Sequence, residues 1–83
     1  MASYPPFHVT ITNVAGSLYD GAATILTVPS ALGQTTILAH HEPLIALLKQ
    51  GTLVLLDTEG RQQEYVVEGG VLEVSQNKAT VLI

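Results

Sequence analysis

The chain contains no cysteine, which excludes both a disulfide framework and thiolate chemistry and leaves the redox compartment unread from sulfur. Charge is also scarce: Asp, Glu, Lys and Arg make up 12% of the 83 residues, against about 25% in ordinary soluble domains. Three basic residues stand against seven acidic ones, for a net charge of −4. That balance excludes the basic stripe with which a nucleic-acid binder displaces counterions from phosphates. It also disfavours direct docking on anionic lipid. The opening Met1-Ala2-Ser3-Tyr4-Pro5-Pro6 lacks the basic start and apolar run of a signal peptide, which points to a mature, cytoplasm-facing chain.

What is present is apolar residue in quantity, 47% of the chain. A single domain of this length buries only roughly 60–65% of the surface its unfolded form exposes, so its stability margin is modest and a partner surface would add to it. The low charge is concentrated in one place: no Asp, Glu, Lys or Arg occurs between Asp20 and Glu42. Pro29, Gly33 and several Thr, Ser, Gln and His residues interrupt this desert, whereas a membrane-spanning helix needs about 20 mostly apolar residues. Two readings stay open. The desert is either two core strands with an uncharged turn, or an interface, since the centres of protein–protein contacts are depleted in charge.

Phe7, Val9 and Ile11 alternate with His8, Thr10 and Thr12, the period of two that marks a strand with one buried and one wet face. Ala22–Pro29 and Gly51–Asp57 are rich in Val, Leu, Ile and Thr without strict alternation, as expected where both faces are covered. Asp57-Thr58-Glu59-Gly60 separates Thr52–Leu56 from Gln62–Val67 and reads as a hairpin turn, with Gly60 in the left-handed region. Gln76-Asn77 similarly turns Val71–Ser75 back into Lys78–Ile83. Short strands with regular turn signals imply a sandwich or barrel. One segment resists the scheme: Glu42-Pro43-Leu44-Ile45-Ala46-Leu47-Leu48-Lys49-Gln50-Gly51 has good helix formers, an early proline and a closing glycine, so its local cues favour a short helix.

No constellation marks a reaction centre. His40 and His41 are adjacent and leave opposite faces of an extended chain, which makes a shared metal site geometrically awkward, and His8 falls on the wet face of the first strand. The seven carboxylates show no paired spacing for acid–base work. Ser17, Ser30 and Ser75 have no nucleophile-elbow context. Gly69-Gly70 lacks a phosphate-loop pattern and serves a tight turn. Neither a catalytic residue, a metal nor a cofactor is expected.

Three blocks remain: Val28-Pro29-Ser30-Ala31-Leu32-Gly33-Gln34-Thr35-Thr36-Ile37-Leu38, Ala39-His40-His41-Glu42-Pro43-Leu44-Ile45, and Gly69-Gly70-Val71-Leu72-Glu73-Val74. In this order and spacing the chain resembles the N-terminal domain of the epsilon subunit of F-type ATP synthases, from about Phe7 to Ile83. The resemblance implies an all-β, two-sheet β-sandwich of about ten short strands, with a strand where local cues favour a helix. It implies one domain over residues 1–83, with 1–6 as a flexible lead. It also implies a non-catalytic rotor subunit of the central stalk, coupling the gamma shaft to the membrane c-ring during proton-driven ATP synthesis.

By the same resemblance, Leu32, Gln34 and His41 are expected to face the c-ring, with Gln34 a neutral amide at a position often acidic in the family. Asn13, His41, Ile45, Ala46 and Val71 are expected on or near the gamma-facing side. Partners are then gamma and the c-ring, with no nucleic acid, and membrane association arises only through the complex, on the cytoplasmic face of a bacterial plasma membrane. The family's C-terminal helical hairpin, which can inhibit hydrolysis, lies beyond Ile83, so the expectation for this chain is coupling without hairpin-based regulation. The competing readings are an unrelated β-sandwich interaction module that uses the charge desert, and a small metal-dependent enzyme using the histidines.

Overall fold

Residues 4–83 are described by a computed structural model in which every regular element is a β-strand. The strands are β1 (Phe7–Asn13), β2 (Gly16–Ser30), β3 (Gly33–Ile37), β4 (Leu44–Leu48), β5 (Gly51–Asp57), β6 (Gln62–Val67), β7 (Gly70–Ser75) and β8 (Lys78–Leu82). Eight strands, fewer than the expected ten or so, are found among the described residues because β2 is 15 residues long and serves two layers. Its first part pairs with β1, from Asn13↔Gly16 to Phe7↔Ala23. Its second part pairs with β5 over Ala23–Thr27 and with β3 over Leu26–Ser30. The register with β5 shifts between Ala23 and Ile25, a bulge of the kind that bends a strand and lets it turn from one layer into the other.

The remaining pairings close the sandwich. β1 runs parallel to β8, β8 antiparallel to β7, and β7 antiparallel to β4. The contact Ser30↔Leu48 then joins β4 back to β2. The core follows the alternation of the strands: Val9, Ile11, Leu26, Val28, Leu53, Leu55, Leu72 and Val81 are fully buried. At about 1.5–3 kcal/mol per buried aliphatic side chain, this interior is the principal support of a small domain. β5 alternates more than its composition suggests, with Leu53, Leu55 and Asp57 buried and Thr52 exposed.

Turn chemistry matches the sequence. Gly60 has φ 81°, and Gln76 and Asn77 have φ 50° and 60°, the paired left-handed conformations that suit a two-residue hairpin. Gly70 is required by close approach: a Cβ there would lie 2.1 Å from the Leu82 carbonyl oxygen. The helix cues of residues 42–51 are overridden. Leu44, Ala46 and Leu48 pack inward while Ile45 and Leu47 point out, a period of two fixed by pairing with β7. A helix of about two turns has little stability of its own, so tertiary pairing decides. Of the expected flexible lead, residues 1–3 lie outside the described residues; Tyr4 to Pro6 are exposed, and the Pro6 carbonyl accepts a hydrogen bond from Asn77 Nδ2 at 3.4 Å.

Candidate interaction surface

The most exposed part of the charge desert is the turn joining β2 to β3. Ser30, 5% exposed, holds it: its hydroxyl donates to the Gly33 carbonyl at 2.6 Å and accepts from the Leu32 amide at 3.3 Å and the Thr35 hydroxyl at 3.2 Å. Those bonds fix the backbone around Leu32, whose side chain is fully exposed. The Ala31 amide donates to the Leu47 carbonyl at 2.8 Å, setting the turn against the end of β4. Between them lies an apolar groove of about 370 Å³, lined by residues 30–32, Thr35 and residues 44–47. No charged side chain among the described residues lines it.

An apolar row leads from this groove across the outer face of the neighbouring strands. Leu47 lies opposite Val71, Val71 opposite Leu82, and Leu82 opposite Thr12. Ile45 and Leu47 on β4 and Leu82 on β8 are 72%, 66% and 54% exposed, large values for apolar side chains. The parallel row one step along starts at Ile45 and is polar beyond it, running Glu73, Thr80, Thr10 and Asp20. The outer face is thus apolar at the end shared with the Leu32 turn and becomes polar toward the opposite end.

The site residues expected from sequence are therefore distributed. Leu32, Ile45 and Ala46 meet around the groove, with Ala46 turned toward the core, and Val71 lies in the adjoining row. Gln34 is exposed on β3, opposite Pro29, one residue beyond the turn. His41 lies elsewhere. Its neighbour His40, at φ 63°, donates its amide to Asn77 Oδ1 at 2.7 Å, which fastens the loop beside the β7–β8 turn. That is the Leu44 end of β4, three residues or about 10 Å along the strand from Leu47. His41 Nδ1 donates to the Glu42 carbonyl at 2.8 Å, so this imidazole orders its own loop. Asn13 caps the β1–β2 turn by accepting the Ala15 amide at 2.8 Å, at the far end of the apolar row.

Sequence reasoning missed Leu47, Leu82 and the role of Ser30. Alternation from Ile45 would have found Leu47 had the segment been read as a strand on its own cues. Leu82 follows only when the register set by the Gln76-Asn77 turn is carried to the end of the hairpin, where Leu82 lies opposite Val71. His8 is bonded to Asp20, Nε2 to Oδ1 at 2.6 Å, on the outer face. Among the described residues no group of three or more His, Cys, Asp or Glu side chains is placed to hold a metal ion.

The one clear electrostatic perturbation lies away from the groove. Burial holds the Tyr19 phenol above the ordinary tyrosine value, with further contributions from the Asp57 carboxylate and the Tyr65 phenol. Asp57 closes the β5–β6 turn, accepting the amides of Glu59 and Arg61 at 2.9 Å each. Around it Arg61 pairs with Glu59 and with Asp57.

Comparison with known proteins agrees with this architecture. The family model described as the ATP synthase delta/epsilon chain β-sandwich domain matches residues 6–83. The ATP synthase epsilon chain of Nitrosococcus oceani is 36% identical over 75 residues, covering 90% of this chain and 54% of that one. The epsilon chain of Acinetobacter baumannii (strain SDF) is 42% identical over 72 residues, covering 87% and 52%. The chain thus spans about half the length of the curated relatives it matches. In fold it is similar to a chain in the Euglena gracilis mitochondrial ATP synthase structure of OSCP, F1 and c-ring, with a TM-score of 0.88 at 21% identity, covering 98% of this chain and 52% of that one. A chain of the Tetrahymena thermophila mitochondrial ATP synthase central stalk and c-ring gives a TM-score of 0.76 at 14% identity, covering 98% and 65%. With a β-sandwich matched from residue 6 to its last strand, the chain belongs to the family of ATP synthase delta/epsilon chain β-sandwich domains.

Proposed function

We propose that this chain is a non-catalytic central-stalk subunit of a rotary ATP synthase, joining the gamma shaft to the membrane c-ring so that torque passes between them during proton-driven synthesis. The observation that carries the reading is the family match over residues 6–83. The uncharged groove beside exposed Leu32 and Ile45 supports it physically. A neutral surface can be buried against a partner without the desolvation cost of unpaired ions. On this reading Leu32 and Gln34 face the c-ring, Ile45 and Val71 face gamma, and Ala46, turned toward the core, backs that surface. Asn13 and His41 stand at the margins of that face. A stiff sandwich suits a joint that transmits force, and the chain needs no cofactor for it.

No helix among the described residues is long and apolar enough to cross a membrane. The proposed location is the cytoplasmic face of a bacterial plasma membrane, reached through the complex. Size-exclusion chromatography of the chain with gamma of the same synthase and with purified c-ring tests the reading. A complex containing all three is expected, with no ATP hydrolysis by the chain alone. Separate elution of the chain from both partners would overturn it.

A further inference from the structure

β4 carries an open edge. On one side it pairs with β7 along its whole length. On the other it touches β2 only at Leu48, through the Ala31 amide to the Leu47 carbonyl and the Lys49 amide to the Pro29 carbonyl, both 2.8 Å. Backbone N–H and C=O groups of an extended strand alternate sides with a period of two. Because Leu47 and Lys49 direct theirs toward β2, Ile45 directs its N–H and C=O the same way, beyond the end of β2. The Ile45 N–H and C=O and the Leu47 N–H then have no backbone partner among the described residues. They open onto the groove between β4 and the Leu32 turn.

Such an edge invites strand addition, and proteins guard against it with charge, proline or a bulge. Of the other open edges, β6 is guarded, with exposed Glu64 within it and Arg61 and Glu68 flanking it, and β3, which pairs only with β2, exposes the polar Gln34 and Thr36. β4 has Glu42, Pro43 and Lys49 only at its ends and no guard within it. Its exposed side chains are Ile45 and Leu47, and no charged side chain among the described residues lines the groove. The occupant that fits needs a backbone donor and acceptor at strand spacing, apolar side chains and no charge. A folded helix meets the second requirement but offers no free backbone groups. A lipid headgroup meets neither.

We propose that β4 is a strand-addition site, and that an uncharged extended segment of gamma pairs with the backbone of Ile45 and Leu47 while an apolar side chain enters the groove beside Leu32. The inference rests on the reading of this chain as gamma's partner and specifies how the two are joined. Extended-segment addition derives affinity from main-chain hydrogen bonds and selectivity from the alternating pockets.

Amide hydrogen exchange of the unaltered chain, alone and with gamma of the same synthase, tests the proposal. In the free chain the Ile45 and Leu47 amides should exchange fast, while the Ala46 amide, directed at β7, exchanges slowly. Gamma should slow Ile45 and Leu47 by about tenfold or more. In parallel, Ile45→Pro removes the edge N–H while leaving the β7 ladder, and Ile45→Ala keeps the N–H and trims the side chain. Ile45→Pro should bind gamma about tenfold more weakly than Ile45→Ala, the effect of one lost backbone hydrogen bond. If gamma binds while the Ile45 amide exchanges as before, strand addition is overturned and the stalk reading stands. If gamma does not bind at all, both fall.

Discussion

Two hairpin turns in this molecule are built alike and presented oppositely. At β2–β3 the buried Ser30 hydroxyl ties the turn, and at β5–β6 the Asp57 carboxylate, 9% exposed, does so. Each is a short polar side chain that satisfies backbone amides the strands cannot. The first turn lifts a bare leucine into solvent beside an uncharged groove; the second lifts an Arg61–Glu59 ion pair. Interior stapling therefore says nothing about which turn meets a partner, whereas the tip does. A charged, solvated tip resists desolvation, and a neutral apolar one gains from it.

The comparison can be broken first at the staples. Asp57→Ala removes an acceptor for two backbone amides at a buried position and should destabilise the domain by about 2–3 kcal/mol, read from urea unfolding. Leu32→Asp should leave folding within about 0.5 kcal/mol, because the side chain is fully exposed, yet weaken partner binding by about 1–3 kcal/mol. Calorimetric titration with gamma and with the c-ring separates the two effects. Ser30→Ala should cost about 1 kcal/mol of stability, less than Asp57→Ala, because a neutral hydroxyl makes weaker bonds than a carboxylate.

The smallest effect lies in alkaline titration. The Tyr19 phenol is raised by burial first and by the Asp57 carboxylate second. A raised folded-state value means the neutral phenol is favoured by folding. Stability is then fully present below the unfolded tyrosine value of about 10 and falls as pH rises through the higher folded value. Ultraviolet difference titration should show a late tyrosine that Tyr19→Phe removes. Equal titration of every tyrosine would contradict it.

Legibility followed the range of the interactions. The alternation of Phe7, Val9 and Ile11 and the turns at Gly60 and Gln76-Asn77 were readable because each depends on residues within a few positions. The strand at residues 44–48 was not readable from its own cues, since its pairing partner lies more than twenty residues away in β7. The family resemblance supplied what local propensity could not. The 15-residue β2 escaped because nothing local distinguishes one bent strand from two. Of the surface, Leu32 and Ile45 were named from sequence and do meet at the groove. Leu47 and Leu82 were not, because their alignment on either side of Val71 is a property of register. Within the charge desert Leu26, Val28 and Ile37 are core, as its first reading expects, while Leu32 is exposed.

The central claim is that the uncharged end, and not the charged hairpin, meets the rotor. Affinity for gamma and the c-ring, measured with a melting curve of each variant alone, tests it across Leu32→Asp, Ile45→Asp and Glu59→Lys. All three should melt close to the unaltered chain. Leu32→Asp should chiefly lose the ring, Ile45→Asp should chiefly lose gamma, and Glu59→Lys should retain both. Normal binding by the first two with release of the partner by Glu59→Lys would place the working surface at the opposite turn and contradict the account.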